Sequence, residues 1–247
     1  MSESLVLCYH AVSPTWAAPL SVKPDALERQ LSWFLRHGWR GSTFTDAVLG
    51  PPSGRALAVT FDDAFASVFT LAYPILQSLG LVGTVFAPTT FMSVRQPLSW
   101  PGIENWALTP DAPELESMSW TEIGALSDAG WEIGSHTRTH PSLTRLDDAT
   151  LREELSLSRE EVTKMVGRPC TSIAYPYGDV DRRVVDVARE VGYLAGAALS
   201  RRLTPLGPLW WPRIGIYHHD YWERFRVKAS RPVQRLRGAR RPARRGS

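Results

Sequence analysis

Two short stretches of the sequence contain the residue types that metal-assisted hydrolysis uses. Asp62 and Asp63 are adjacent and directly follow the apolar run at residues 56–61, which predicts a buried strand. His136 and His140 are four residues apart and follow a second strand-like run, so one helical turn would place both imidazoles on the same side. Two imidazoles and one carboxylate are the usual protein ligands of a catalytic zinc or a related divalent ion. The pattern favours a metal site made from these residue types.

Each stretch also has a simpler interpretation. The aspartates could only cap the helix that begins near Ala66, since Asp is a favoured N-cap residue, and the histidines could be incidental residues of an exposed polar loop. However, ligands and chemistry in α/β folds collect at the carboxyl ends of parallel strands, where both stretches are predicted to lie. Two successive side chains at a strand end point in different directions, so one carboxylate can hold a metal while the other faces a substrate. We therefore favour the metal site.

A third stretch, Tyr175-Pro176-Tyr177-Gly178, follows a further predicted strand. Its backbone amides could face the open metal position, where an amide would help to stabilise an oxyanion. It could equally be a strand-to-helix turn without a chemical role. Taken alone, this segment does not distinguish the two interpretations.

The elements that would position these stretches alternate between strand and helix. Short apolar runs predict strands that end near Tyr9, Phe61, Ala87 and Ser135, and amphipathic runs between them predict helices. This order predicts a parallel sheet or barrel. Residues 88–118 form a long proline-rich connection, and connections of that length are usually functional or mobile.

Length and composition limit the classes to which the protein can belong. A chain of 247 residues with 43% hydrophobic content suits one large α/β domain with a full core. No apolar stretch approaches the roughly 18 residues of a membrane span, and the amino terminus lacks the basic and long apolar regions of a signal peptide. Cys8 and Cys170 form no disulfide framework. We therefore expect a cytoplasmic location, with a peripheral position at a membrane as the alternative.

Charge is distributed unevenly along the chain. Residues 201–247 contain 13 basic and two acidic residues, whereas the rest contains 15 basic and 23 acidic residues. Residues 228–247 are too polar and too often interrupted by Pro and Gly to build a core. We predict a catalytic domain over residues 1–227 and a disordered basic tail over residues 228–247. The tail could bind an anionic membrane weakly, but it lacks interleaved aromatic residues, and no nucleic-acid partner is expected.

The three stretches together resemble the first three motifs of a known family, the NodB-homology polysaccharide deacetylases. The matching segments, in this order, are Thr60-Phe61-Asp62-Asp63, His136-Thr137-Arg138-Thr139-His140 and Tyr175-Pro176-Tyr177-Gly178. The resemblance covers residues 4–217, nearly all of the predicted domain. It implies an α/β fold, a distorted (β/α) barrel with about seven strands. It also implies the removal of acetyl groups from N-acetylated sugars, or sometimes from O-acetylated ones.

The resemblance also implies a role for each motif residue. Asp62 corresponds to the general base, and Tyr177 corresponds to the residue that offers its backbone amide to the oxyanion. Asp63, His136 and His140 correspond to the ligands of one divalent metal ion. We expect Zn²⁺, with Co²⁺, Ni²⁺ and Mn²⁺ as alternatives.

Two positions depart from the family's motifs. Ala64 follows the aspartates where the family usually has Gly, which is a mild change if its φ is negative. The third-motif arginine that pairs with the catalytic aspartate aligns with Ala174, and Arg213 is the candidate to supply that charge from another strand. The alternative for Arg213 is a surface cation, although a strand interior is an unusual place for one. Trp210 and Trp211 could form a wall of the acetyl pocket or belong to the core.

The general acid is the least defined role. The family's C-terminal motif that carries this histidine is absent from the basic tail. A subgroup resembling the biofilm poly-N-acetylglucosamine deacetylases carries it in an N-terminal Tyr-His pair, which Tyr9 and His10 match. His218 and His219 remain rivals to His10.

We therefore expect a metal-dependent hydrolase that removes acetyl groups from the N-acetylated sugars of a polysaccharide, oligosaccharide or glycolipid. One alternative is a catalytically inactive barrel that binds a glycan. Another is an esterase that removes O-acetyl groups from a carbohydrate. The sequence does not distinguish the sugar or its chain length.

Overall fold

The computed structural model describes residues 3–51, 54–93, 97–199 and 204–230. The strands in these ranges are β1 (Glu3–Tyr9), β2 (Ala11–Val12), β3 (Ser21–Val22), β4 (Arg40–Ser42), β5 (Arg55–Phe61), β6 (Thr84–Ala87), β7 (Glu132–Ser135), β8 (Ser172–Ala174), β9 (Ala195–Ala198), β10 (Trp211–Pro212) and β11 (Ile214–Gly215). The helices are α1 (Pro24–Arg36), α2 (Phe44–Leu49), α3 (Tyr73–Ser78), α4 (Trp120–Asp128), α5 (Asp148–Val166), α6 (Arg182–Glu190) and α7 (Trp222–Ala229). Strands and helices therefore alternate along most of the chain, as predicted.

The main sheet is built from parallel strands. Its order is β10-β9-β8-β7-β6-β5-β1-β11, and β4 pairs with β5 beside this path. The register of β1 and β5 runs from Glu3 opposite Arg55 to Tyr9 opposite Phe61. Because both strands end at the same level, the residue directly after each of them emerges at the same end of the sheet. The backbone amide of Asp62 donates to Tyr9 O at 3.0 Å and continues this alignment by one residue.

A single extended segment brings the two edges of the sheet together. Its first half, β10, pairs with β9, and its second half, β11, pairs with β1. Arg213 lies between the two halves, and its backbone amide donates to Ala198 O at 3.0 Å. Because β10 and β11 belong to one segment, the eight strands of this path occupy seven positions around a distorted, nearly closed barrel. This arrangement confirms the predicted fold class.

Several helix ends follow from local sequence. Ser119 and Glu122 form a capping box at the start of α4, which satisfies two backbone donors reciprocally. Helix α5 begins after Asp147, whose side chain accepts from the backbone amide of Thr150, and it ends at Gly167 in a left-handed conformation with φ 71°, the usual role of glycine at this position. Helix α5 is therefore bounded at both ends by its own sequence.

The last described helix crosses the predicted domain boundary at residue 227. Helix α7 continues past residue 227 to Ala229, which is buried. Lys228 Nζ lies 2.6 Å from Asp220 Oδ2, so Lys228 belongs to the folded domain. Residues 231–247, the remainder of the predicted tail, lie outside the described residues. Across the described ranges, no helix has the length and apolar character that crossing a bilayer requires.

Candidate active site

One cavity of about 350 Å³ contains most of the predicted functional residues. The predicted site residues that line it are Asp62, Asp63, His10, His136, His140 and Tyr177. They follow β1, β5, β7 and β8 in the sequence, so the cavity lies at the carboxyl ends of these parallel strands. This is the end at which (β/α) barrels carry their chemistry.

Asp63, His136 and His140 converge on one point in this cavity. Nε2 of His136 lies 3.2 Å from Asp63 Oδ1, and Nε2 of His140 lies 3.4 Å from the same oxygen. All three residues are buried, and their candidate ligand atoms lie within 4.8 Å of one another. Two imidazole nitrogens and one carboxylate oxygen form a donor set that suits Zn²⁺ and related ions.

The orientation of His136 fits a metal ligand. Its Nδ1 lies 2.8 Å from Ala174 O, and because a carbonyl only accepts, Nδ1 is the protonated nitrogen. The lone pair of Nε2 then faces a carboxylate, an arrangement that a cation between the two atoms would satisfy. Burial alone would lower the pKa of His136, but Asp62 and Asp63 raise it. The pocket therefore favours positive charge at this point.

The electrostatics of Asp63 also favour a bound cation at this point. Burial would raise the pKa of its carboxyl group, but the close contacts with the His136 and His140 imidazoles hold the pKa well below its usual range. Asp63 is therefore ionised at neutral pH. An ionised carboxylate in a dry pocket requires a compensating positive charge.

Asp62 differs from the neighbouring Asp63 in that its carboxylate pairs with Arg213. Arg213 Nη1 and Nη2 donate to the two oxygens of Asp62 at 2.6 and 2.7 Å, and the Cys8 thiol donates to Oδ2 at 3.4 Å. Both partners of this bidentate pair are 2% exposed. Burial would raise the pKa of Asp62, but the Arg213 charge and His136 lower it to about 2. Arg213 is therefore a buried counter-charge rather than a surface cation.

His10 is the candidate general acid that lies in the cavity. It is 7% exposed, and its ring packs against Tyr217 with centroids 6.3 Å apart. Burial lowers the pKa of His10, while Asp63 and Asp62 act in the opposite direction. His218 lines a different cavity, together with Asp220.

Tyr177 reaches the cavity from the short turn Pro176–Gly178. Its ring contacts the His140 ring edge-on, with centroids 4.7 Å apart, and its hydroxyl donates to Pro101 O at 3.4 Å. The third predicted motif is thus in direct contact with a candidate metal ligand.

The aromatic wall of the cavity is not formed by the predicted tryptophans. Trp210 packs against the main core, and Trp211 lines another cavity with Ser4 and Ala56, so neither lines this cavity. The tryptophans that line the cavity are Trp16, Trp100 and Trp106. Trp100 and Trp106 belong to the long connection after β6, whose length was the sequence signal for a functional segment.

The segment from His136 to His140 is not the helical turn that the spacing suggested. It is an irregular loop after β7, in which Thr137 has φ 65° and His140 has φ 60°. Among the described residues, the non-glycine residues with positive φ are Asp63, Ala64, Thr137, His140 and Tyr177. All of them lie in the three motif loops. A left-handed conformation costs an L-residue about 1–2 kcal/mol, and such strain tends to cluster at functional sites.

Ala64 has φ 52°, so the condition under which its replacement of Gly would be mild is not met. We expect Ala64→Gly to change the free energy of unfolding by less than about 0.5 kcal/mol, because relief of about 1–2 kcal/mol of strain offsets the lost burial of about 0.8 kcal/mol for the methyl group and the greater chain entropy of Gly. Urea denaturation measures this change.

The matched control is Ala58→Gly. Ala58 is as fully buried as Ala64 but lies within β5, where no strain is relieved. This variant should lose about 1–2 kcal/mol. Equal losses in the two variants would contradict the assigned strain.

The arrangement as a whole defines a parallel (β/α) barrel with a candidate divalent metal centre beside a buried carboxylate–guanidinium pair. The chain belongs to the polysaccharide deacetylase family, whose family model matches residues 50–196. This match confirms the family resemblance drawn from the three motifs. The finer assignment to a subgroup with an N-terminal Tyr-His pair stays a prediction.

Three known proteins resemble this chain, one in sequence and two in fold. Poly-beta-1,6-N-acetyl-D-glucosamine N-deacetylase of Staphylococcus aureus is 25% identical over 199 residues, which cover 75% of this chain and 63% of that protein. The chain thus spans less than two thirds of this relative's length. A de-N-acetylase structure from Aggregatibacter actinomycetemcomitans has a TM-score of 0.76 and 19% identity, over 91% of this chain and 99% of the other. IcaB from Ammonifex degensii has a TM-score of 0.72 and 23% identity, over 95% and 98%. At these identities the two structures show the fold.

Proposed function

We propose that this protein is a metal-dependent carbohydrate N-deacetylase. The observation that carries the proposal is the convergence of Asp63, His136 and His140 in one cavity with the paired Asp62. Membership of the polysaccharide deacetylase family supports the same conclusion. The substrate class that we propose is an N-acetylated sugar within a polysaccharide, oligosaccharide or glycolipid.

We propose Zn²⁺ as the ion held by Asp63, His136 and His140, because three nitrogen and oxygen ligands with an open position suit it. Co²⁺, Ni²⁺ and Mn²⁺ are alternatives that accept the same donors. When bound, such an ion polarises an acyl oxygen and lowers the pKa of a water molecule.

Asp62 is proposed to remove a proton from the water that attacks the acetyl carbonyl carbon. Its low pKa keeps it ionised, and the bidentate pair with Arg213 fixes its orientation. Arg213 uses one lone pair of each carboxylate oxygen, and the Cys8 thiol uses the second lone pair of Oδ2, so the lone pair available to accept the proton is on Oδ1.

His10 is proposed to supply the proton that the departing amine requires. As the carbon–nitrogen bond breaks, the electron pair of that bond goes to nitrogen, which takes a proton from the protonated form of His10. Burial lowers the pKa of His10, so this form is the minor one at neutral pH and the step should be favoured at lower pH. The products are acetate and the free amino sugar, and the water molecule supplies the added oxygen and hydrogens. The backbone amide of Tyr177 is proposed to stabilise the charge that develops on the acyl oxygen.

The cavity supports a sugar as the substrate. Trp16, Trp100 and Trp106 give it apolar aromatic walls, and its volume of about 350 Å³ lies in the range of small-molecule sites. The similar Staphylococcus aureus protein is named for the deacetylation of poly-beta-1,6-N-acetyl-D-glucosamine, which makes an N-acetylglucosamine polymer the first substrate to test.

The proposal is tested by measuring acetate release from a panel of substrates. The panel contains poly-beta-1,6-N-acetylglucosamine oligomers, chitin oligomers, peptidoglycan fragments and an O-acetylated xylan, each with Zn²⁺-loaded and chelator-treated protein. We expect release from at least one N-acetylated member, and its loss after chelation. Release from the O-acetylated member alone would instead identify an esterase. Binding without any release would identify an inactive glycan-binding barrel.

We expect His10→Ala to keep the metal ion but to lower kcat on an amide substrate by about 100- to 10,000-fold, the usual effect of general acid–base catalysis. The loss should be smaller on an activated acetyl ester such as 4-nitrophenyl acetate, because its leaving group hardly needs a proton. Steady-state kinetics on both substrates measure the difference.

His218→Ala is the control for His10→Ala, because His218 lies outside the cavity. It should behave like the parent on both substrates. An amide-selective loss in His218→Ala that is absent from His10→Ala would refute the assignment of His10 as the acid.

A further inference from the structure

One carboxylate from a helix binds the loop that carries both candidate histidine ligands. Glu154 lies in α5 and is 8% exposed. Its Oε2 accepts hydrogen bonds from the backbone amides of Arg138 at 2.8 Å and Thr139 at 3.0 Å. Its Oε1 accepts from the Thr139 hydroxyl at 2.6 Å. Three donors located between His136 and His140 therefore end on this single side chain.

The same helix also binds the residue before the loop. Ser158, one turn after Glu154 in α5, accepts a hydrogen bond from the Ser135 hydroxyl at 2.8 Å. Ser135 is the last residue of β7 and directly precedes His136. Helix α5 therefore contacts the loop at its start and in its middle.

The loop needs such support because its backbone is strained. Thr137 and His140 both have positive φ, and a conformation of this kind persists only where surrounding contacts determine it. The bonds to Glu154 lie between these two residues. Hydrogen bonds to an ionised carboxylate are shorter and stronger than those between neutral groups, so Glu154 is suited to this task.

The two histidines differ in how their rings are held. His136 Nδ1 bonds to Ala174 O, as metal-ligating histidines usually do through their second nitrogen. Within the described part of the chain, His140 Nδ1 has no hydrogen-bond partner, and its ring instead stacks on Trp100 with centroids 4.1 Å apart. The position of His140 therefore depends on its backbone more than that of His136 does.

We propose that Glu154 is a positioning residue for the metal centre, which fixes the loop so that both imidazoles reach the same ion. This inference rests on the proposed metal centre. Glu154 acts through the loop backbone and touches neither the candidate ligand atoms nor the cavity. The side chain of Arg138 pairs with Glu161 at 3.1 Å, whereas its backbone amide donates to Glu154. The two contacts of Arg138 therefore use different acceptors.

The test is the affinity of the full-length protein for Zn²⁺, measured by competition with a chromophoric chelator. We expect Glu154→Gln to bind Zn²⁺ about 10- to 100-fold more weakly than the parent, the usual effect of losing a supporting contact around a metal ligand. Gln lacks the negative charge, so the backbone amides of Arg138 and Thr139 lose a charge-assisted acceptor, and the Thr139 hydroxyl must accept from the Gln amide nitrogen instead of donating to a carboxylate oxygen. The absorption spectrum of the Co²⁺-substituted protein should shift as well, because it reports ligand geometry and does not depend on turnover.

Glu153→Gln is the matched control: Glu153 is the preceding residue, its side chain is 64% exposed, and its Oε1 lies 3.9 Å from Arg138 Nη1, so this variant removes a charge beside the same loop but leaves the backbone bonds to Glu154 in place. It should bind Zn²⁺ within about twofold of the parent, as surface substitutions usually do. Thr139→Val removes only the hydroxyl contact and should weaken Zn²⁺ binding by about fivefold, the value of one hydrogen bond. This variant carries the test if Glu154→Gln does not fold.

The outcomes separate the two proposals. Parent protein that binds no divalent ion would overturn the metal centre and this inference together. Parent protein that binds Zn²⁺, with Thr139→Val and a folded Glu154→Gln binding it equally well, would overturn the positioning role alone.

Discussion

Asp62→Asn should keep its metal ion while its turnover falls by about 100- to 10,000-fold, the usual value of general acid–base catalysis. The expected reason is that Asn cannot take a proton from water, whereas the three candidate ligands remain in place. Asp62 contacts Arg213 through both carboxylate oxygens, so its role is separate from that of Asp63. Metal content by mass spectrometry and acetate release on the same preparation measure the two properties.

The same substitution has a second expected effect. Arg213 is buried and would lose its counter-charge, and breaking a buried ion pair typically costs about 3–5 kcal/mol of stability. The assay therefore has to be run well below the melting temperature of the variant, with circular dichroism as the check on folding. If Asp62→Asn loses its metal while Asp63→Asn retains it, the roles of the two aspartates are reversed.

His136→Ala should lose both the metal ion and all measurable turnover. His136 supplies one of the three converging ligand atoms, and its removal leaves two protein ligands where catalytic zinc sites have three. It also removes one of the two imidazoles whose contacts keep the pKa of Asp63 low. We expect the parent to bind about one ion per chain and the variant to bind almost none.

His219→Ala controls for the general loss of an imidazole. His219 packs beside Tyr221 and does not line the cavity of the candidate metal centre. This variant should retain its metal ion and its turnover. Full metal occupancy in His136→Ala would show that the ion binds elsewhere, and the proposed centre would then be wrong.

Sequence motifs were enough to predict which residues gather at the site. Asp62, Asp63 and His136 each come after a predicted strand, and parallel strands place the residues beyond their carboxyl ends at one end of the sheet. The same logic placed His10 in the cavity, because β1 and β5 are aligned residue by residue. Arg213 was a candidate because the third-motif arginine of the family aligns with Ala174, and because a strand interior is an unusual place for a surface cation.

The local backbone geometry of the site and its aromatic wall were not predicted from the sequence. The four-residue spacing of His136 and His140 is compatible with a helix, but contacts from Glu154, 14 residues further on, hold the segment as a strained loop. The aromatic wall was missed for a similar reason. Trp100 reaches His140 from a distant connection, and neither periodicity nor composition encodes such a contact.

The segment that joins the two edges of the barrel also has a consequence for the order of synthesis. Asp62 and Arg213 are separated by 151 residues, and Arg213 reaches Asp62 only when β10 and β11 have taken their places beside β9 and β1. During synthesis the aspartate emerges early, and its counter-charge is among the last residues of the domain to emerge. Long-range contacts of this kind form late and slow folding. A nascent or truncated chain that stops before residue 211 therefore contains every candidate metal ligand, yet lacks the partner of Asp62 and has an open barrel. Closure of the barrel and formation of the Asp62–Arg213 ion pair are the same event.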